Sequence, residues 1–271
     1  MKTGFKFLKD TSSGKWVILA PKRADRPDVA AKKRLICPLC PGREKLTTKE
    51  VYRVGAGKEN TPGWQIRVVP NKYPFAPIHE LIIHSPDHRG NFFSYQPDWI
   101  AKILQVYKER YLHWRAEGHV IIFHNHGIPA GESLSHSHSQ LVVVPWGAPM
   151  ENPKAKNPEN IICESDYFTL FAPKVSSWPY EIWVLPRHRD SFFGEIAPEE
   201  INDLAKLFSK LLNRLKKELH GDFAFNFYIY HGKDWYLRLI PRLKVPGGFE
   251  LGTGIFVNTQ PPEETARDLS W

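Results

Sequence analysis

The segment SPDHRGNFFSYQPDWIAKIL, residues 85–104, is written again one hundred positions later as LPRHRDSFFGEIAPEEINDL, residues 185–204. Laid over one another without a gap, the two share Pro86/Pro186, His88/His188, Arg89/Arg189, Phe92/Phe192 and Phe93/Phe193. Five coincidences within eight positions mark a duplicated chain rather than a chance likeness. An apolar strand leads into each copy, Glu80–His84 and Glu181–Leu185, and a helix of period 3.6 follows. The first helix is expected from Asp98 to about Glu117, with Ile100, Ile103, Leu104 and Tyr107 on one face. The second is expected from Pro198 to about Leu219, with Ile201, Leu204, Leu207, Phe208 and Leu211 in the same role. Pro198 suits a first helical turn, where the missing N–H costs no bond. Two strands close each copy: Val120–His124 with Gln140–Pro145, and Phe223–Tyr230 with Tyr236–Ile240. WQIRVVPNKYPF (64–75) and YFTLFAPKVSSWPY (167–180) add one more strand to each.

The pattern predicts an α+β fold of two half-domains, each an antiparallel sheet carrying one long helix. The halves divide as 1–150 and 151–271, joined by the linker PMENPKAKNP at 149–158. A chain with 42% hydrophobic and 24% charged residues has the composition of a globular protein, which excludes wholesale disorder. The apolar runs Val120–Phe123 and Leu141–Val144 are far too short to cross a bilayer, so no membrane role is expected. The opening MKTGFKFLKDTSSGKW lacks the apolar stretch of a secretory signal, which predicts a cytoplasmic protein. Three cysteines argue against a disulfide framework. The net charge of +8 suits an anionic partner. Nucleic acid is one candidate, but the charges are dispersed. The densest cluster is Lys32-Lys33-Arg34, and no aromatic-basic motif of RNA-binding type accompanies it. Phosphorylated small molecules fit the charge equally well, and no nucleic-acid partner is expected.

The chemistry concentrates in GESLSHSHSQLVVVPW, residues 131–146. In an extended segment His136, His138 and Gln140 project to one face, with Ser137 and Ser139 on the reverse. Two imidazoles and an amide aligned in this way can grip a phosphate. The preceding loop, Gly127 to Ser133, can line an anion nest with its backbone N–H groups. A pair of surface histidines on an edge strand is the plainer reading, and the adjoining loop and Gln140 weigh against it. At the hundred-residue offset Tyr236 and Arg238 stand where His136 and His138 do, so the first half carries the activity. Cys37-Pro-Leu-Cys40 reads as half of a tetrahedral zinc site. A redox pair is the alternative, disfavoured because no thioredoxin-like βαβ context follows. His79, His84, His88, His124, His126 and His136 are all available to complete a zinc site, and spacing does not choose among them.

Taken together these motifs resemble the galactose-1-phosphate uridylyltransferases, the duplicated transferase branch of the histidine triad superfamily. The resemblance runs through SGKWVILAPKRADRP (13–27), CPLCPG (37–42), WQIRVVPNKYPF (64–75), SPDH (85–88) and NHGIPAGESLSHSHSQ (125–140). It continues in WPYEIWVLPRH (178–188) and GGFELGTGIFVNTQ (247–260). It implies two histidine-triad-like halves, the first holding zinc and the catalytic histidine and the second degenerate. Cys37, Cys40, His88 and His136 would be the zinc ligands, and the site would be structural because four protein donors leave no open position. His138 would be the nucleophile, and Gln140 would hold a phosphate oxygen of the covalent intermediate. Ser133 would contact the transferred phosphate. Arg23, Arg26, Asn71 and Asn125 would line the nucleotide and phosphate pocket, and Gln260 would contact the hexose.

The implied reaction is a ping-pong transfer of UMP between a UDP-hexose and a hexose 1-phosphate through a nucleotidyl-histidine, with galactose metabolism as the setting. The alternative is a phosphorylase that passes the nucleotide of ADP-glucose or a dinucleoside polyphosphate to inorganic phosphate. Hydrolases of the superfamily carry a third histidine where Gln140 stands here, which favours transfer over hydrolysis. A reading of a different class, a zinc-stabilised nucleic-acid binding module, would require tight, steeply salt-dependent oligonucleotide binding without nucleotidylation. Family members are often dimers, so a homodimer is expected. Three features depart from the family. Ser137 replaces a proline between the histidines, which removes a backbone restraint. Tyr236 and Arg238 occupy the positions of a second metal-binding pair, and His231 by itself is no site, so no second metal is expected. The segment after Pro241 is shortened, which leaves sugar and base specificity open.

Overall fold

The computed structural model of the chain describes residues 5–11, 16–25, 36–148, 150 and 157–271. Arg26 lies outside the described residues, as does the linker except for Met150, Asn157 and Pro158. In chain order the elements begin with β1 (Lys6–Lys9), β2 (Trp16–Leu19), β3 (Tyr52–Gly55), β4 (Trp64–Pro70) and β5 (Ile78–Ile83). Next come α1 (Pro97–Trp114), β6 (His119–His126), β7 (His138–Val144), β8 (Ile161–Glu164), β9 (Phe168–Phe171) and β10 (Ile182–Pro186). The last are α2 (Pro198–Glu218), β11 (Phe225–Ile229), β12 (Leu237–Pro241), α3 (Gly248–Thr253) and α4 (Pro262–Leu269). The fold is α+β, as the sequence predicts, and each described strand pairing is antiparallel.

The chain divides into two compact units that interleave the two sequence repeats. Unit 1 takes residues 1–90, 113–121 and 133–151; unit 2 takes residues 91–112, 122–132 and 152–271. In unit 1, β3, β4, β5 and β7 lie side by side in that order. Both faces of β4 are covered: Trp64, Ile66, Val68 and Val69 are buried, and so is Arg67. Arg67 is tolerated there because Glu50 Oε2 lies 2.7 Å from its Nε, with Thr47 and Asn60 accepting from Nη1 and Nη2. The run Leu141-Val142-Val143 is buried throughout, which fixes the direction of β7 and therefore of the polar residues at its start.

Unit 2 carries a sheet in the order β6, β11, β12, β10, β9, β8, to which β6 contributes residues 122–126. The second helix agrees with expectation to within one residue. Its entry is closed by Glu200, whose carboxylate accepts from the Ala197 N–H at 2.6 Å, and by Glu199 in the first turn. The first helix ends at Trp114, three residues before the expected end. Of the duplicated phenylalanines, Phe92 in the first copy and Phe193 in the second are core, whereas Phe192 is exposed. Phe92 meets Phe208 and Phe227 edge-on at 5.5 and 5.4 Å, and Phe193 meets Trp235 at 5.1 Å. The duplication persists in the hydrogen-bond register: Ile83 pairs with His138, and Trp183 pairs with Arg238, each residue shifted by one hundred.

Candidate active site

The cysteine turn is anchored before it can hold anything. Glu44, buried beside it, accepts from the Gly42 N–H at 3.2 Å and from the Trp64 indole at 2.9 Å, so the turn is tied to β4. Burial works to raise the Glu44 carboxyl, but the indole and backbone donors outweigh it and hold the group below its usual value. Cys37, Cys40, His88 and His136 then bring four donor atoms within 4.8 Å of one another. His136 Nδ1 lies 3.8 Å from Cys37 Sγ and 3.6 Å from Cys40 Sγ, and His88 Nδ1 lies 3.4 Å from Cys40 Sγ. A tetrahedron with Zn–S of about 2.3 Å and Zn–N of about 2.0–2.1 Å has S···N edges of about 3.6 Å, so the donor set fits that ion. His136 Nε2–H donates to the Ser85 carbonyl at 2.7 Å, which turns Nδ1 toward the thiols. Burial pushes the Cys37 thiol up to about 11 and the His136 imidazole down to about 4. Imidazole is thus in its ligand form at neutral pH, whereas the thiol ionises there only against a cation. Of the other candidate ligands, none of His79, His84, His124 and His126 belongs to this cluster.

His138 opens β7, two residues beyond the cluster. Its Nδ1 lies 2.8 Å from the His136 carbonyl oxygen. A carbonyl only accepts, so Nδ1 carries the proton and the lone pair resides on Nε2. His138 faces a cleft of about 680 Å³, partly open to solvent, with Gln140, Ser133, Asn71, Lys72 and Tyr73 on its polar side. Leu39, Leu46, Val69, Leu81 and Leu134 form the apolar side, and Thr47 and Thr48 also line it. Gln140 Oε1 is 2.9 Å from His79 Nε2. Asn71 is held by its own turn, Oδ1 accepting from the Tyr73 N–H at 2.8 Å. Arg23 does not line the cleft; its guanidinium donates to the Tyr73 carbonyl at 2.9 Å and stacks over Phe75, bracing that wall from outside.

Two expected pocket residues belong to unit 2. Asn125 Oδ1 accepts from Asn226 Nδ2 at 2.8 Å, and Gln260 Nε2 donates to Asp268 at 3.2 Å. The loop that precedes Ser133 turns through Gly131 at φ +82°, a conformation that favours glycine. Glu132 Oε2 accepts from the Gly127 N–H at 2.7 Å, and burial raises its carboxyl.

In the second repeat the positions of the histidine pair are filled. Tyr236 is stacked between Trp183 at 4.2 Å and Tyr230 at 5.0 Å. Arg238 pairs with buried Glu181 at 2.7 Å and donates to the Tyr228 hydroxyl at 3.1 Å. Burial opposes the Arg238 charge, but the Glu181 carboxylate more than offsets it.

Sequence reasoning did not find Glu44, Thr47, Thr48 or the contact of His79 with Gln140. Only the histidine carried any signal, as one of several unassigned imidazoles.

No protein-family model matches the sequence. The chain is 30% identical to ADP-glucose phosphorylase of Arabidopsis thaliana, over 96% of its own length and 90% of the relative's. It is 23% identical to galactose-1-phosphate uridylyltransferase of Thermotoga maritima, over 94% of each. A crystal structure of ADP-glucose phosphorylase from Arabidopsis thaliana with bound ADP-glucose superposes with a TM-score of 0.76 at 29% identity, covering 98% of both chains.

Proposed function

The chain belongs to the galactose-1-phosphate uridylyltransferase family of the histidine triad superfamily, and from that premise we propose that it is an ADP-glucose phosphorylase working through a nucleotidyl-histidine. His138 Nε2 attacks the phosphorus that carries the adenosine, and the bond from that phosphorus to the bridging oxygen breaks. Glucose 1-phosphate leaves, with adenylate held on His138. An oxygen of inorganic phosphate then attacks the same phosphorus, the N–P bond breaks, and ADP departs with neutral His138 restored. No proton need move in either step, because Nδ1–H stays on the imidazole throughout. The bond from Nδ1–H to the His136 carbonyl strengthens as the ring becomes cationic. That bond is the observation that carries the reading, since it directs the nucleophilic lone pair. Gln140 and Ser133 supply donors to the phosphoryl oxygens, and Asn71 serves the nucleotide. Arg23 orders the wall at Tyr73.

The choice of an adenylyl donor rests on the 30% identity to an ADP-glucose phosphorylase. It reverses the preference that the motifs alone suggest. UMP transfer between a UDP-hexose and a hexose 1-phosphate is the second reading, supported by the Thermotoga maritima relative at 23%. The distinguishing experiment is the intact mass of the protein after brief exposure to ADP-glucose or to UDP-glucose, with His138→Ala as control. An acid-labile adenylyl adduct that is absent from the variant supports the phosphorylase; a uridylyl adduct alone supports the transferase. No adduct with either donor refutes both.

Zinc is assigned to Cys37, Cys40, His88 and His136. When bound it supplies a structural clamp between the cysteine turn and the strand that bears His138, with four donors and no open position. Two reduced thiols in that role accord with a cytoplasmic setting. The halves 1–150 and 151–271 are taken as the products of duplication, the first catalytic and the second degenerate. A homodimer is favoured by exposed apolar side chains that include Val17, Leu19, Phe249, Leu251 and Ile255. Light scattering at assay concentration tests it, with a monomer mass refuting it.

A further inference from the structure

His84 follows β5 directly and is completely buried. The ladder that pairs Ile83 with His138 sets His84 opposite Ser137, and its backbone N–H donates to the Ser137 carbonyl at 3.2 Å. Directly opposed residues of an antiparallel pair share a face, so the imidazole lies with Ser137 and Ser139, behind His136 and His138. There Nδ1 is 2.9 Å from Ser137 Oγ and Nε2 is 3.0 Å from Ser139 Oγ. A neutral imidazole offers one donor and one acceptor, and a serine hydroxyl takes either part, so both bonds are made without charge.

We propose that His84 is a positioning residue for nucleotidyl transfer: it pins Ser137 and Ser139 from behind and so fixes the direction in which His138 leaves the strand. The proposal rests on the reading of His138 as nucleophile. Ser137 separates the residue that faces the thiols from the one that faces the cleft, and residues two apart on a strand move as one pleat. Tying alternate hydroxyls to a single rigid ring therefore restrains the backbone at residue 138 without entering the cleft. The same two bonds leave no polar atom of the two serine side chains stranded in the core, where Ser137 is 2% and Ser139 0% exposed. A displacement of about 1 Å at a reacting group costs on the order of 100-fold in rate, so a brace at this position has consequences that core packing alone does not.

The test is single-turnover nucleotidylation by ADP-glucose and by UDP-glucose, read by intact mass, alongside zinc content and thermal midpoint. His84→Phe keeps the ring volume and removes both bonds. It is expected to retain zinc and slow adduct formation on the order of 10- to 100-fold at saturating donor. His84→Gln, whose amide reaches as far as Nε2 and can keep the Ser139 bond, is expected to recover part of the rate. The double substitution Ser137→Ala with Ser139→Ala removes the same bonds with the imidazole in place, and should slow the reaction as His84→Phe does. All three changes together should slow it no further. If His84→Phe does not fold, the serine pair decides alone. An unchanged adduct rate in the variants with a lowered thermal midpoint overturns the proposal and leaves His84 as core packing. A wild-type chain that forms no adduct overturns the transfer reading, and the proposal with it.

Discussion

Glu50→Gln is expected to be among the most destabilising conservative substitutions in unit 1. The Arg67 side chain is 1% exposed and the Glu50 side chain 3%, so neither charge has water to fall back on. Arg67 spends Nε on Glu50, Nη1 on Thr47 Oγ1 at 2.9 Å and Nη2 on Asn60 Oδ1 at 3.1 Å. Replacing the carboxylate by an amide preserves shape, but it leaves the guanidinium charge uncompensated and turns an NH2 donor toward Arg53 or Arg67 where a carboxylate oxygen now accepts, which costs about 3–5 kcal/mol. At about 2–4 °C per kcal/mol for a chain of this size, the thermal midpoint should fall by roughly 6–20 °C. Arg53, the other cation on Glu50, keeps the carbonyls of Ala56 and Thr61 and adds little to the loss. Adding Arg67→Met to Glu50→Gln removes the stranded charge, so the double variant should recover most of the deficit, a reversal that additive damage cannot produce. Because Thr47 lines the cleft and is held by Arg67, Glu50→Gln should also raise KM well below its midpoint. Urea denaturation followed by tryptophan fluorescence measures the stabilities, and initial rates give KM. A Glu50→Gln variant within about 0.5 kcal/mol of wild type, or a double variant no better than the single, would show that the pair is not the strut described here.

The purified chain should hold one zinc per molecule by elemental analysis, and His136→Ala should lose it. Without metal, Cys37 is pushed up to about 11 and stays protonated near neutrality, while His136, lowered to about 4, is already neutral. Metal binding must therefore expel the Cys37 proton. Affinity should rise about 100-fold from pH 6 to pH 8 from this thiol alone, and a pH-independent affinity in chelator competition would rule out thiolate ligation. Gly118→Ala should destabilise the chain by about 1–3 kcal/mol, because a Cβ there would meet the Val144 carbonyl oxygen at 2.4 Å, backbone that cannot step aside; an unchanged denaturation midpoint refutes it. Glu132→Gln should gain stability relative to wild type as pH rises from 4 to 8. The folded state holds the Glu132 proton more tightly than the unfolded chain does, so the wild type loses stability as pH rises through the carboxylate range, whereas the amide does not titrate. A pH-independent difference between the two would count against burial as the cause. Arg238→His should cost about 3–5 kcal/mol by leaving buried Glu181 without its guanidinium. It should also form no second adduct in a His138→Ala background, and an adduct there would mean that the second repeat retains a usable site.

What was legible in the sequence followed from periodicity and from repetition. The hundred-residue offset places both long helices, and it survives as the strand register, because pairing one strand with another is set by the alternation of buried side chains. The grouping of Cys37 and Cys40 with His136 needed only that one turn reach one strand. The sequence on its own offered six imidazoles for the metal and no means of choosing. His84 and His88 sit four residues apart, yet the ladder sends the first behind β7 and leaves the second beside the thiols. The parity of the pairing could have excluded His84, since the residue opposite Ser137 cannot face the side on which His136 lies. Glu44, Thr47 and Arg67 were beyond reach because their roles depend on polar contacts between distant segments, which leave no period in the sequence. The early end of α1 at Trp114 was also hidden: Arg115, Ala116 and Glu117 are all good helix formers, and the first breaker in the sequence is Gly118.

The two repeats separate what the ladder contributes from what the side chains contribute. Ile83 opposite His138 and Trp183 opposite Arg238 are the same step of the same antiparallel pairing. A strand held in this register is therefore compatible with a nucleophile and equally with a closed core. In the first repeat the residue opposite His138 is aliphatic, the serines behind it are hydrogen-bonded to an imidazole, and the face in front opens on a cleft. In the second, Trp183 lies against Tyr236, and Glu181 neutralises Arg238. Arg238 is thereby turned to Glu181 and Tyr228 rather than toward a phosphate. The geometry that aims a side chain is thus inherited by both halves, whereas reactivity requires in addition that the aimed group be left facing a space a substrate can enter. The side chains at 236 and 238 are satisfied by their neighbours while the backbone keeps the pairing of the first repeat, so the register shows a likeness that the residues at 236 and 238 conceal.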